Sequence, residues 1–276
     1  MVIYIIGGSG VLGRHLGYHL ACQHHKVYLF DIDTFDINRD IIPNEHIFKI
    51  TPGHIFEILN GFVRRKMPQV IFHLGETASI DTYANTQAIH DNIGLTSDVL
   101  NVCARYNIRG IIGTWEPIEN RSESVLVHSL HQKSELIKYF HKGNVVVNEV
   151  QIPQIVHPNY PGVKFGAILN RLAYHIYCGE PFYIGDMSEV FLSMRSFNSL
   201  PPIIEHLTQI MKRNTRKTIT IEGYRYPFDS LIQFALHAHN VESATLVSRG
   251  EARVFRRKEC VPNNPIYQWI TEQDWK

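Results

Sequence analysis

The chain has 276 residues, enough for one large domain or for a core with an appended lobe. Its 27 Lys and Arg against 26 Asp and Glu leave a formal charge of +1, which excludes a bulk field for nucleic acid or an anionic membrane surface. Hydrophobic residues at 44% and charged residues at 19%, with 18 Gly and 13 Pro, exclude a disordered or collagen-like chain. Cys22, Cys103, Cys178 and Cys260 lie far apart with no C-x-x-C, so neither a zinc ribbon nor a disulfide framework is expected, and a reducing compartment fits. No basic leader precedes the first glycines and no apolar run reaches about 18 residues. A cytoplasmic protein with no membrane and no nucleic-acid partner is therefore expected. The 16 histidines are scattered without metal-ligand spacing, so no metal is expected.

Residues 2–6 are a continuous β-branched and aromatic run, the pattern of a strand buried on both faces. Leu12, Leu16 and Leu20 then keep helical spacing, and a second buried strand runs over 27–30 and ends at Asp31. Further strands are expected at 70–74, 108–112 and 145–147, with helices through Leu95 to Val102 and from about Ser129 to Tyr139. This alternation predicts an α/β fold, a Rossmann-type doubly wound parallel sheet with right-handed crossovers. After Ile152 the texture changes, because Pro153, Pro158, Pro161 and Gly162 break regular structure in quick succession. Residues 1–152 are thus expected to form a dinucleotide-binding domain and 153–276 a smaller, mainly substrate-binding lobe. Within the lobe, helices are expected at 168–177, after Pro201-Pro202 and at 231–239, and a short strand at 182–184. A stretch at about 215–225, with alternating Thr218 to Ile221, is placed to return to the first sheet.

Gly7-Gly8-Ser9-Gly10-Val11-Leu12-Gly13 follows a strand and opens a helix. Glycines at a strand exit permit a tight turn and let backbone approach a pyrophosphate whose charge the helix N-terminus favours. Gly7, Ser9, Gly10, Val11, Leu12 and Gly13 are accordingly the expected pyrophosphate contacts. Asp31 falls where a carboxylate accepts hydrogen bonds from a ribose diol and repels a 2′-phosphate, so the expected cofactor is NAD rather than NADP. Ile32 follows at the same end of the site. Arg14, inside the loop, is the one residue that would suit a phosphate instead.

These residues resemble the extended branch of the short-chain dehydrogenase/reductase family, the nucleotide-sugar epimerases, dehydratases and reductases. Val70-Ile71-Phe72-His73-Leu74-Gly75 resembles that family's fourth strand, of V-I-H-L-A-A type, and Asn92-Ile93-Gly94-Leu95-Thr96 its N-x-x-G-T segment. Gly179-Glu180-Pro181-Phe182 with Gly185-Asp186, and Pro265 to Trp269, are similar to later family segments in the family order. The resemblance implies cofactor contacts from Leu74, Gly75, Asn92 and Lys133. It implies chemistry by a Ser/Thr after the fifth strand and a Tyr-x-x-x-Lys on the next helix. Thr114 stands at the Ser/Thr position, Glu116 where sugar-nucleotide dehydratases carry an acid, and Lys133 at the lysine. Ser129 stands at the tyrosine. Tyr160 to Lys164 is the one literal Tyr-x-x-x-Lys, but Pro161-Gly162 bar the helical turn the dyad needs.

An aliphatic hydroxyl is far harder to deprotonate than a phenol with pKa near 10. Ser129 is therefore not expected to act as a base, and His128 or His131 could serve in its place. For the substrate diphosphate, Arg195, Arg249 and Arg253 are candidates by position, while the cluster of Arg253, Arg256 and Arg257 reads equally as a solvated edge. The leading expectation is an NAD-binding protein acting on a nucleotide-linked sugar with an altered acid/base. The alternative is a catalytically inactive NAD-sensing or partner-subunit relative; an NADP-dependent reductase of small carbonyls is disfavoured by Asp31. The family resemblance also implies a homodimer through the two helices flanking the site, where Val99, Leu100, Cys103, Leu136 and Phe140 either form an apolar seam or face the sheet.

Overall fold

A computed structural model describes residues 1–32, 37–51, 53–76, 90–115, 125–141, 143–156, 168–183, 194–248 and 251–258. The first half runs β1 (Val2–Ile6), α1 (Val11–Cys22), β2 (Lys26–Asp31), β3 (Ile47–Lys49), α2 (Ile55–Arg65), β4 (Val70–His73), α3 (Leu95–Tyr106), β5 (Arg109–Trp115), α4 (Val125–His141) and β6 (Val147–Ile152). The second half runs β7 (Gln154–Val156), α5 (Ile168–Cys178), β8 (Phe182–Tyr183), β9 (Met194–Ser199), α6 (Leu200–Met211), β10 (Thr218–Thr220), β11 (Tyr224–Pro227), α7 (Phe228–Ala238), β12 (Ser243–Ser248) and β13 (Glu251–Arg256).

Seven strands form one parallel sheet in the order β3-β2-β1-β4-β5-β6-β10. The order reverses between β1 and β4, and ligands of open α/β sheets sit outside the strand ends at such a switch point. The fold is thus a Rossmann-type doubly wound sheet. Along β1, Ile3 and Ile5 pack with Leu16 and Leu20 of α1 and Leu207 of α6, while Tyr4 and Ile6 pack toward α2, α3 and α4. Burial on both faces is why these strands read as unbroken apolar runs. Each fully buried Leu or Ile here contributes about 1.5–3 kcal/mol.

The valine run at 145–147 lies mostly ahead of its strand. Pairing with β5 begins at Gly110 opposite Val147, so residues 143–145 form a bend, with Val145 nonetheless buried. The parallel register, not the β propensity of the valines, sets where β6 starts. Helix α4 extends beyond its expected span at both ends. Helix α6 carries proline in its first turn, where a missing N–H costs no intrahelical bond.

Beyond the large sheet, β11-β9-β7 and β13-β12-β8 form two small three-stranded sheets. β10 pairs parallel to β6, with Thr218 opposite Glu149. Val99, Leu100 and Cys103 are fully buried against the sheet, and Leu136 and Phe140 pack on the same cluster, so these residues face the core. Among the described residues no helix is long and apolar enough to cross a membrane.

Candidate functional site

The glycine turn is built by contacts that exclude any side chain. Gly7 has φ +82°, and a Cβ there would lie 2.4 Å from the Gly75 amide nitrogen, because the ends of β1 and β4 meet. A Cβ on Gly13 would lie 2.0 Å from the Gly7 carbonyl oxygen, so α1 rests directly on the turn. Gly10 is looser, with a hypothetical Cβ 3.3 Å from the same oxygen.

The amides of Gly7 and Gly8 both donate to the Phe30 carbonyl at the end of β2 (2.9 and 3.1 Å). The Ser9 amide donates to Asp31 Oδ2, and the Ile32 amide to Oδ1, each at 2.8 Å. Both oxygens of the half-buried Asp31 are thereby oriented before any ligand arrives. No side chain caps α1 at Gly10, which leaves the first-turn amides, at Val11 and Leu12, as an anion cradle. Ile32 is exposed beside it.

At the end of β4, His73 is fully buried and its Nε2 lies 2.9 Å from Thr96 Oγ1. Burial holds the imidazole well below the usual histidine range, and the Lys133 ammonium adds to the effect. Three residues on, Glu76 makes an ion pair with Lys133, Oε2 to Nζ 2.9 Å, with both side chains buried. Lys133 also donates to the Gly113 carbonyl at 2.7 Å. Burial pushes the Glu76 carboxyl up, opposed by the Lys133 charge and hydrogen bond and by the Trp115 backbone. An ammonium has three donors, so with Glu76 and Gly113 served Lys133 retains one.

Ser129 and Lys133 share the buried face of α4 at i and i+4, whereas His128 and His131 are exposed on its other side. Asn92, in the π-turn that opens α3, is buried and donates to Ser129 Oγ at 3.1 Å. Thr114 is buried as well, but its hydroxyl donates inward to Glu149 Oε1 at 3.1 Å. Glu149, fully buried, is further held by Ser134 and Thr218, each at 2.7 Å. These hydroxyls join β5, β6, α4 and β10 around one carboxylate.

The glycine turn, Asp31, Leu74, Gly75, Asn92, Ser129 and Lys133 thus sit on elements that converge at the switch point between β1 and β4. Glu116, Arg249, Gly185-Asp186, Tyr160 to Lys164 and the closing segment 265–269 lie outside the described residues. Arg195 stands on β9 opposite Tyr226, in a sheet separate from the large one. Arg253 is exposed on β13, and Arg257 pairs with Glu242 and Asn240. Sequence reading passed over Glu76 and Glu149. Glu76 had a signal, since a carboxylate follows H-L-G where the resembling strand carries alanine. Glu149 had none, because its partners come from three other elements.

Residues 3–114 match the family model described as the NAD dependent epimerase/dehydratase family. The sequence has no significant match among curated proteins. Among solved structures, the chain is similar to the UDP-glucose 4-epimerase of Thermotoga maritima, solved with UDP-glucose, at TM-score 0.75 and 14% identity over 95% of this chain and 88% of that one. The Thermus thermophilus UDP-glucose 4-epimerase, in complex with NAD, follows at TM-score 0.72 and 14% identity over 95% and 91%. An NAD-dependent NDP-hexosamine 5,6-dehydratase of tunicamycin biosynthesis aligns at TM-score 0.74 and 14% identity over 99% and 97%. The resemblance to the extended short-chain dehydrogenase/reductases therefore stands on a family match over residues 3–114 and on the fold of nearly the whole chain.

Proposed function

We propose that the chain binds NAD at the Gly7 to Gly13 turn and acts on a nucleotide-linked sugar, as an epimerase, dehydratase or reductase whose acid/base has been rebuilt. The observation that carries this reading is the cradle itself. Close backbone contacts exclude side chains at Gly7 and Gly13, and Asp31 is oriented through both oxygens. In this role the first-turn amides of α1 hold the pyrophosphate, and Asp31 accepts from the adenosine ribose. The remaining donor of Lys133 holds the nicotinamide ribose, with Glu76 and Gly113 fixing its position. When bound, the cofactor would accept hydride and return it in an epimerase or dehydratase, and in its reduced form would donate hydride in a reductase.

At the dyad position no phenolate stands to receive the proton of the sugar hydroxyl, because Ser129 takes the tyrosine's place and its Oγ already accepts from Asn92. Loss of a positioned acid/base typically removes about 10²–10⁴-fold in rate. Slow turnover of ordinary nucleotide sugars is therefore expected. The second reading, an NAD-binding relative without turnover, is favoured by the same Ser129 geometry together with the Glu76 partner on Lys133. A homodimer belongs to the proposal on the strength of the family resemblance, and a cytoplasmic location on the scattered cysteines and the lack of a long apolar run in the sequence.

The test is mass spectrometry of small molecules released from the purified protein, followed by calorimetry with NAD and NADP. NAD with a nucleotide sugar is the expected co-purifying pair. Asp31→Ala is expected to weaken NAD by about tenfold or more, from loss of hydrogen bonds to a charged group, and to narrow its margin over NADP. Equal or tighter NADP binding by the unmodified protein would overturn the ribose assignment. Brisk turnover surviving both His128→Ala and His131→Ala would exclude the slow-turnover and inactive readings alike.

A further inference from the structure

The glycine turn lies at the carboxyl ends of the strands. At the opposite end of the same sheet, β1, β2, the turn before β3 and the end of α2 border an open pocket of about 380 Å³ that the proposed reaction does not use. Its walls are aromatic. Tyr28 meets Tyr4 edge-on at 5.5 Å between ring centroids and His46 at 4.3 Å, and Phe62 of α2 closes one side.

The rim is cationic. Lys26, Arg65 and Lys66 line it against the single carboxylate of Glu45. The Lys26 and Lys66 ammoniums sit 6.0 and 5.2 Å from the centroid of the same Tyr28 ring. Among the described residues, none of these four charged groups forms an ion pair with another or elsewhere. Two ammoniums held over one ring repel each other, and an anion between them removes that cost.

One further observation points to a ligand. The Tyr28 side chain is 4% exposed and its hydroxyl, buried in this wall, has no hydrogen-bond partner within 3.5 Å; the nearby Lys66 ammonium is the group that interacts with it. A buried phenol without a close partner loses its hydrogen bonds to water and regains none of full strength from the protein, a cost that a bound polar group would cancel. His46 responds to the same field: burial pushes its pKa down, and Lys26 and then Lys66 push further against an opposing Glu45.

We infer that this pocket is a second ligand site, for a planar phosphorylated small molecule of the nucleoside monophosphate class. The volume falls in the range of about 300–1,000 Å³ usual for small-molecule pockets. A dianionic phosphate matches the excess of two positive charges at the rim, with Arg65 able to grip two oxygens at once. A flat base matches the aromatic walls and supplies a polar edge for the Tyr28 hydroxyl.

The experiment uses the full chain saturated with NAD, so that the glycine turn cannot take the probe, and titrates AMP, adenosine and inorganic phosphate by calorimetry. AMP is expected to bind, with adenosine and phosphate alone each at least about tenfold weaker, because each offers half of the contacts. Lys26→Ala with Lys66→Ala is expected to weaken AMP by about tenfold or more through loss of charge-assisted hydrogen bonds. Tyr28→Phe weakens it less. NAD affinity stays unchanged in the lysine variant and its melting temperature does not fall, since both lysines are exposed and far from the glycine turn. No AMP heat, AMP binding that ignores the lysine pair, or phosphate binding as tight as AMP would each overturn the inference. None of these outcomes depends on whether the chain turns over a nucleotide sugar.

Discussion

A single methyl group added to Gly13 would stand 2.0 Å from the Gly7 carbonyl oxygen, against backbone that has no room to yield. Gly13→Ala is therefore expected to destabilise the protein by about 1–3 kcal/mol, as overpacking does, and to weaken NAD together with stability. Gly61→Ala, with open space around its Cβ, is the control that changes neither in the harmful direction; urea titration and NAD calorimetry read both. The Lys133–Glu76 pair obeys a different rule. Glu76→Ala leaves a buried ammonium and is expected to cost about 3–5 kcal/mol, whereas Lys133→Met with Glu76→Leu replaces the pair by packed side chains and should be near neutral. Lys133→Met alone leaves a carboxyl whose pKa burial holds above its unfolded value. Its contribution to stability is then full below the unfolded value and lost as pH rises through the folded one, so this variant gains stability on acidification. Urea midpoints across pH that move the other way would refute the burial of the carboxylate.

Helix α4 shows how much of the candidate site was legible at the scale of one element. Its spacing put Ser129 and Lys133 on one face, and the structure buries that face with Ile137 while exposing His128 and His131. What periodicity could not supply was the partner of each polar group on the face. Asn92 reaches Ser129 from a π-turn 37 positions away, and Glu76 reaches Lys133 from the end of β4. Helix α2 went unread although Ile55, Leu59 and Val63 keep helical spacing and are buried; the glycine at 61 and the charged end at Arg64-Arg65 dilute the pattern. Helix α7 carries its own pH dependence. His239 caps its end beside Tyr177, and burial lowers the imidazole pKa from 6.5 to about 4. The unfolded chain therefore binds the proton first, and stability is lost as pH falls from about 6.5 through about 4. The full shift would amount to about 3 kcal/mol, and solvent reaching the half-buried ring reduces this to about 1–2 kcal/mol. His239→Gln should flatten the acid limb of the urea midpoint over that window.

The whole molecule does not divide at the change of texture near Ile152 in the way its core divides. Leu207, Ile210 and Met211 of α6 lie in the same cluster as Ile3, Leu16 and Leu20, and β10 extends the large sheet beyond β6. Leu207→Ala is accordingly expected to cost about 2–5 kcal/mol and to lower the stability of the half that carries the glycine turn, read by loss of the thermal stabilisation expected from the proposed NAD binding. A variant that melted its C-terminal half alone, with NAD stabilisation intact, would contradict that shared core.

What the sequence by itself determined was local: which runs become doubly buried strands, where glycine must turn the chain, and that Asp31 ends β2 beside that turn. Short-range sterics and periodicity act within a few residues, so one sequence suffices to read them. The tertiary structure alone decided that Gly7 meets Gly75, that Lys133 finds Glu76, that Glu149 gathers three hydroxyls, and that the buried Tyr28 ring gathers Lys26, Lys66 and His46 around it. Each of these joins residues far apart in the chain, and their pairing follows from strand order and register, which no local pattern encodes.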